Sequence, residues 1–143
     1  MNRAACAGLM LTSLIPVAAY AAGVDYDLVD PAKIPNLPEL APTLNGKSAD
    51  TVVALFGAPL GTQELGSSQF AIYEVNECLS KPHCYVTASC RLTVTISKAT
   101  STVTSAALSG NVFGSPGARE RFLPYLSQLC NAEFAVKAKQ GTP

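Results

Sequence analysis

The stretch Cys84–Ser97, CYVTASCRLTVTIS, alternates without a break. Its even positions are Cys84, Val86, Ala88, Cys90, Leu92, Val94 and Ile96; its odd positions are Tyr85, Thr87, Ser89, Arg91, Thr93, Thr95 and Ser97. A period of two is that of a strand with one face on the core and one in water. The stretch therefore reads as a central strand, with Cys84 and Cys90 on its core face.

Neighbouring segments supply partners. Gln69–Glu77 (QFAIYEVNE) is rich in β-formers and precedes the central strand across a short loop, so it is expected to pair antiparallel. Lys98–Ser101 makes a polar turn, and Thr102–Ser109 (TVTSAALS) reads as a third strand. The three form a meander.

Two helices are expected to cover its apolar face. Within Leu44–Pro59, Ser48 suits an N-cap, Asp50 suits the positive helix end, and Gly57 with Pro59 supplies the stop. Ala49, Val52, Val53 and Phe56 fall at i, i+3, i+4 and i+7 and predict its buried stripe. Near the end, Ser115 and Pro116 suit an N-cap and first helical position, and Phe122, Leu126, Leu129, Cys130 and Phe134 trace one side. Pro124 predicts a kink or a fresh start, and Gly141–Pro143 a frayed end. The fold class is α+β: a two-layer sandwich with a short N-terminal helix and a C-terminal helix on a three-stranded antiparallel meander.

Upstream, Met1–Gly23 reads MNRAACAGLMLTSLIPVAAYAAG, with Arg3, then an apolar run, then small residues around Ala19-Tyr20-Ala21. This is the layout of a secretory signal peptide with cleavage after Ala21; a retained membrane anchor is the alternative. Cys6 precedes the apolar run, so it is not placed to accept a lipid after it. Residues 22–43 hold prolines at 31, 35, 38 and 42, a spacing that forbids a helix and predicts an extended strap. The expected organisation is a signal over 1–21, a proline-rich segment over 22–43 and one domain over 44–140.

The mature chain would retain nine basic and ten acidic residues, a formal charge of −1, because only Arg3 among the charged residues is removed. The longest charge run is the mixed Arg119-Glu120-Arg121, so nothing argues for nucleic acid. Residues 22 onward contain no further apolar run long enough to span a bilayer.

Chemistry would have to come from CLSKPHCYVTASC, Cys78–Cys90. An even number of cysteines, Cys78, Cys84, Cys90 and Cys130, in an exported chain reads as disulfides. Four cysteines allow three pairings and sequence does not select among them. The favoured one closes the loop LSKPH with Cys78–Cys84, the two standing opposite each other, and ties Cys90 to Cys130 between sheet and helix. Loop-closure entropy assigns about 2 to 3 kcal/mol to the first and about 4 kcal/mol to the second.

The competing reading is zinc on Cys78, His83, Cys84 and Cys90, but the spacing lacks the paired C-x2-4-C or H-x3-5-H pattern. No C-x-x-C, C-x-x-C-H, Walker loop, GxGxxG or nucleophile elbow occurs. His83 has no serine, cysteine or carboxylate constellation around it, and Glu74 and Glu77 read as solvated charges bordering the loop. No catalytic, cofactor-binding or metal residues are therefore assigned.

The order Leu44-x-Gly46-x-Ser48, Phe56-Gly57-x-Pro59, Phe70-x-Ile72-Tyr73 and Leu92–Ile96 (LTVTI) resembles the small BamE/SmpA/OmlA-type periplasmic domain over residues 44–109. The layered plan is also similar to that of the β-lactamase inhibitor proteins. The first resemblance implies an α/β sandwich that acts by binding in support of outer-membrane β-barrel assembly. The functional expectation is a non-catalytic, periplasmic or secreted protein-binding module whose partner is an envelope or extracellular protein. Candidate contact residues are Lys81, Pro82, His83 and Tyr85 at the hairpin tip and Arg91 on the polar face. The alternatives are an inhibitor of a secreted or periplasmic enzyme and a Cys/His metal-binding protein.

Overall fold

A computed structural model describes residues 27–141; the expected signal, residues 22–26 of the expected strap and the last two residues lie outside the described residues. The fold is α+β, with helices on one face of an antiparallel sheet. Its strands are β1 (Asp27–Leu28), β2 (Gly61–Leu65), β3 (Ser68–Cys78), β4 (Ser80–Lys81), β5 (Thr87–Ser97) and β6 (Val103–Phe113). Its helices are α1 (Ala49–Phe56), α2 (Pro116–Phe122) and α3 (Leu126–Gly141). The main sheet runs β2-β3-β5-β6, and β1 pairs with β4 in a small second sheet.

The meander β3-β5-β6 forms around the alternating stretch. Val86, Ala88, Cys90, Leu92, Val94 and Ile96 are all buried, whereas none of the odd positions from Thr87 to Ser97 is. Register carries that parity to the neighbours: Leu92 stands between Tyr73 and Leu108, and Cys90 between Val75 and Gly110. The residues on the opposite face of these strands are half-buried or exposed. Glu74 and Arg91 meet on it as a cross-strand pair, with Arg91 Nε donating to Glu74 Oε1 at 2.9 Å.

Three details differ from the sequence reading. The sheet has a fourth strand, β2, hairpinned to β3 through Gly66, whose φ is 59°. All of Gly61–Leu65 is exposed, so no burial period marks it in sequence. Cys84 is exposed and precedes β5 rather than belonging to its core face. Cys78 pairs in register with Thr87, not with Cys84, so the bond from Cys78 spans a loop instead of a ladder rung.

Helix α1 begins and ends where its punctuation dictates. Ser48 Oγ accepts from Thr51 N–H at 3.1 Å, and Gly57 stops the helix at φ 79°. Val52 and Phe56 enter the core, but Val53 is 48% exposed, because the helix turns a narrower face inward than the predicted stripe. Phe56 packs between Tyr73 and Phe134, with ring centroids at 5.6 and 6.0 Å. The Tyr73 hydroxyl donates to the Gly57 carbonyl at 3.1 Å, and burial raises its pKa.

Pro124 divides the C-terminal helical region. A 3-10 turn over Leu123–Tyr125 separates α2 from α3, which continues to Gly141. Phe122, Leu129, Cys130 and Phe134 are buried. Cys130 bonds Cys90 with Cα atoms 5.3 Å apart, and Cys78 bonds Cys84 at 5.2 Å. The bond to Cys130 passes directly over Gly110, where an added Cβ would stand 2.8 Å from the Cys130 sulfur.

The proline-rich strap is not extended throughout, contrary to the expectation from its proline spacing. It folds into 3-10 turns at Pro31–Lys33 and Ala41–Leu44, because proline fits the first turn of a helix where no N–H is needed, and it is fastened across α3. Asn131, a buried polar residue, accepts from Leu40 N–H at 2.8 Å and donates to the Leu37 and Pro38 carbonyls at 3.1 and 2.9 Å. Gln128 donates to the Ile34 carbonyl. Prolines remove backbone donors and cannot build a ladder, so side-chain amides of the helix take over the pairing. Asn131→Ala is expected to cost about 1 to 3 kcal/mol and to expose the backbone of residues 37–40; chemical denaturation and amide exchange at Leu40 measure both.

Candidate functional site

The loop after β3 is built from the inside out. Leu79 and Ser80 are each 1% exposed. Leu79 enters a cluster with Ile34, Val86 and Phe122, and its N–H donates to the Val86 carbonyl at 2.8 Å. Ser80 Oγ donates to the His83 carbonyl at 2.5 Å and accepts from the N–H groups of Tyr85 and Val86 at 2.9 and 3.1 Å. One hydroxyl thus satisfies three backbone groups of the returning chain.

The rest of the loop is fixed from outside. β1 pairs with Ser80 and Lys81, and Val29 N–H donates to the Leu79 carbonyl at 2.9 Å. The Cys78–Cys84 bond closes the ring, and the Lys81–Pro82 peptide is cis. Leu79 and Ser80 are therefore anchors, and the loop is not held out whole. Only Lys81, Pro82, His83, Cys84 and Tyr85 face solvent.

These positions unite four of the five predicted contact residues. His83 and Tyr85 stack edge-to-face at 5.6 Å. Arg91 lies elsewhere, roughly 13 Å along β5 from Thr87, and is engaged by Glu74. Sequence reasoning missed Phe113, 54% exposed and opposite Thr87 in the ladder. It missed it because the third strand was expected to end at Ser109; the continued run to Phe113 before Gly114 was the available signal. Gly114, at φ 153°, lets this end approach closely: a Cβ there would lie 3.1 Å from Val86. With Tyr85 at 58% exposure, the tip carries two exposed large aromatic rings at one end of the sheet.

The sulfurs of Cys78 and Cys84, and those of Cys90 and Cys130, are bonded in two pairs, so the zinc reading has no thiolate to use. Among the described residues, no group of three or more His, Cys, Asp or Glu side chains converges to hold a metal.

A cleft lies where the strap crosses between β3 and α3, lined by Val29, Ile34, Leu79, Leu129, Glu77 and Glu133. Glu133 is pushed up in pKa, first by burial and then by the charge of Glu77. The cleft measures about 160 Å³, below the roughly 300 Å³ at which small-molecule sites begin. Two carboxylates here are a local electrostatic cost rather than a substrate site.

Compared with protein-family models, curated proteins and solved structures, the chain matches none.

Two outcomes test this geometry. Ser80→Ala is expected to destabilise by about 1 to 3 kcal/mol, because the buried Val86 amide loses its acceptor, and to accelerate exchange at Val86. For Glu133 the folded pKa lies above the unfolded one, so its cost is absent below the unfolded value and grows as pH rises through the folded one. Glu133→Gln should therefore raise the melting temperature at pH 7 and lose that advantage near about pH 4. Paired thermal melts at the two pH values read the difference.

Proposed function

We propose that this chain is an exported, non-catalytic protein-binding module that recognises an envelope or extracellular protein through the disulfide-closed tip. The observation that supports this reading most is the combination of exposed side chains and a fixed backbone from Lys81 to Tyr85. Binding through a loop already ordered by a disulfide, a buried serine and a flanking strand loses little conformational entropy. Tyr85 and Phe113 supply the exposed aromatic area typical of interface hot spots, and Lys81 and His83 supply polar edges.

Export is supported by the two disulfides, which persist in oxidising compartments. Among the described residues no helix is long and apolar enough to cross a membrane. The BamE-type resemblance adds an assembly or scaffold role in the envelope to the proposal. Inhibition of a periplasmic or secreted enzyme is the second reading. It is favoured by the narrowness of the exposed arc, three residues between buried Ser80 and bonded Cys84, which suits insertion into a cleft.

A photo-crosslinking side chain at position 83 in the exported protein should capture a defined partner. Tyr85→Ala should weaken that partner's affinity by roughly thirtyfold, the effect of a hot-spot residue. Capture that is indifferent to Tyr85→Ala and to replacement of Lys81 would remove the tip from the account. A captured hydrolase that loses activity on titration with the protein would select the inhibitor reading.

A further inference from the structure

The two disulfides differ in what surrounds them. Cys90 and Cys130 are both buried, enclosed between sheet and helix. Cys84 is exposed and Cys78 half-buried, so the bond between them reaches the surface at its Cys84 end. Thiol–disulfide exchange begins with a thiolate attacking one sulfur, and access decides which bond reacts and at which end. A thiolate arriving from solvent meets Cys84, whereas Cys90 and Cys130 are closed to it unless the core opens.

Opening this ring takes little else apart. Ser80 Oγ holds the His83 carbonyl and the N–H groups of Tyr85 and Val86, Leu79 N–H donates to the Val86 carbonyl, and β1 pairs with Ser80 and Lys81. None of these contacts passes through a sulfur. The Cys90–Cys130 bond is the opposite case, because it is the covalent link between β5 and α3 across 40 residues. A disulfide that is exposed at one end belongs with the labile ones rather than with the structural ones.

The inner sulfur has a partner waiting. Cys78 Sγ lies 3.0 Å from the Ser80 carbonyl oxygen. In the closed ring this is a contact only. When the bond opens, Cys78 becomes a thiol, and that carbonyl is placed to accept its S–H. The sulfur that leaves is thereby kept beside Cys84, its Cα 5.2 Å away, where it can close the ring again.

We propose that the Cys78–Cys84 bond is a thiol-exchange site, at which Cys84 takes up the thiol of a small molecule or of a protein cysteine. The thiolate attacks Cys84 Sγ and a new S–S bond forms there. The Cys78–Cys84 bond breaks, its electron pair goes to Cys78 Sγ, and a proton from water completes the Cys78 thiol. The incoming sulfur is oxidised and the Cys78 sulfur reduced to the same extent, so no further oxidant or reductant enters. In the reverse step the Cys78 thiolate attacks Cys84 Sγ and expels the thiol. The resting form is the closed ring. Exchange does not need the tip to bind a partner non-covalently, so either property can fail without the other.

The native, oxidised mature protein is incubated with reduced glutathione and, separately, with an unfolded protein bearing a single cysteine at equal thiol concentration. Intact mass and non-reducing peptide mapping should place the added thiol on Cys84, with Cys78 open to alkylation and the Cys90–Cys130 bond intact. The faster of the two thiols identifies the source. Under dithiothreitol the ring should open at least about tenfold faster than the Cys90–Cys130 bond, and exchange of the Val86 amide should stay slow in the opened form. Cys78→Ser removes the resolving sulfur, so an adduct formed on Cys84 from oxidised glutathione should persist there, whereas the wild-type ring expels it. The wild-type adduct is read without any substitution, so its result stands even where the variant folds poorly. A thiol attached to Cys78, equal opening rates for the two disulfides, or opening only in conditions that unfold the chain would overturn the proposal.

Discussion

The bond between Cys90 and Cys130 is the constraint on which the other parts depend. It joins the middle of the central strand to α3 through the interior, across a sequence separation of 40 residues. A link of that length removes about 4 kcal/mol of unfolded-chain entropy, a large share of a small domain's stability. It also fixes what can lie beneath it. Gly110 has no side chain because the sulfur of Cys130 occupies that space. With α3 held, Asn131 and Gln128 on the same helix can hold the strap. The strap in turn brings β1 to the loop after β3.

The second disulfide works at a different scale. It closes a ring of small sequence separation and contributes about 2 kcal/mol by the same entropy argument. Its importance is local, because Ser80 and Leu79 already bind the loop to the core. Together these contacts leave a short arc of side chains exposed on a backbone with little freedom. Such a surface is suited to recognition, and the sheet face beside it carries the polar odd positions of β5, half-buried or exposed.

The parts of the fold legible in sequence are those governed by local rules. Alternation in β5 follows from pleating, and Ser48, Gly57, Ser115 and Pro124 act through groups within a few residues of themselves. What was not legible depends on distant residues. β2 is exposed throughout and exists because β3 offers it a ladder. Asn131 reaches a strap more than ninety positions away. Val53 falls on the predicted stripe but outside the contact that α1 makes. The tip residues were visible as a cysteine-bounded, proline-containing loop, whereas Phe113 depended on where β6 ends. The inward turn of Leu79 and Ser80 depended on a core cluster that no local pattern announces.

Peptide mapping of the exported protein by mass spectrometry without reduction tests the central claim most directly. The account predicts one linked species joining Cys78 to Cys84, one joining Cys90 to Cys130, and no free thiol among the four. A crossed pairing, or free thiols holding a metal, would contradict it, because α3 would then lack its anchor and the loop would become a site of chemistry.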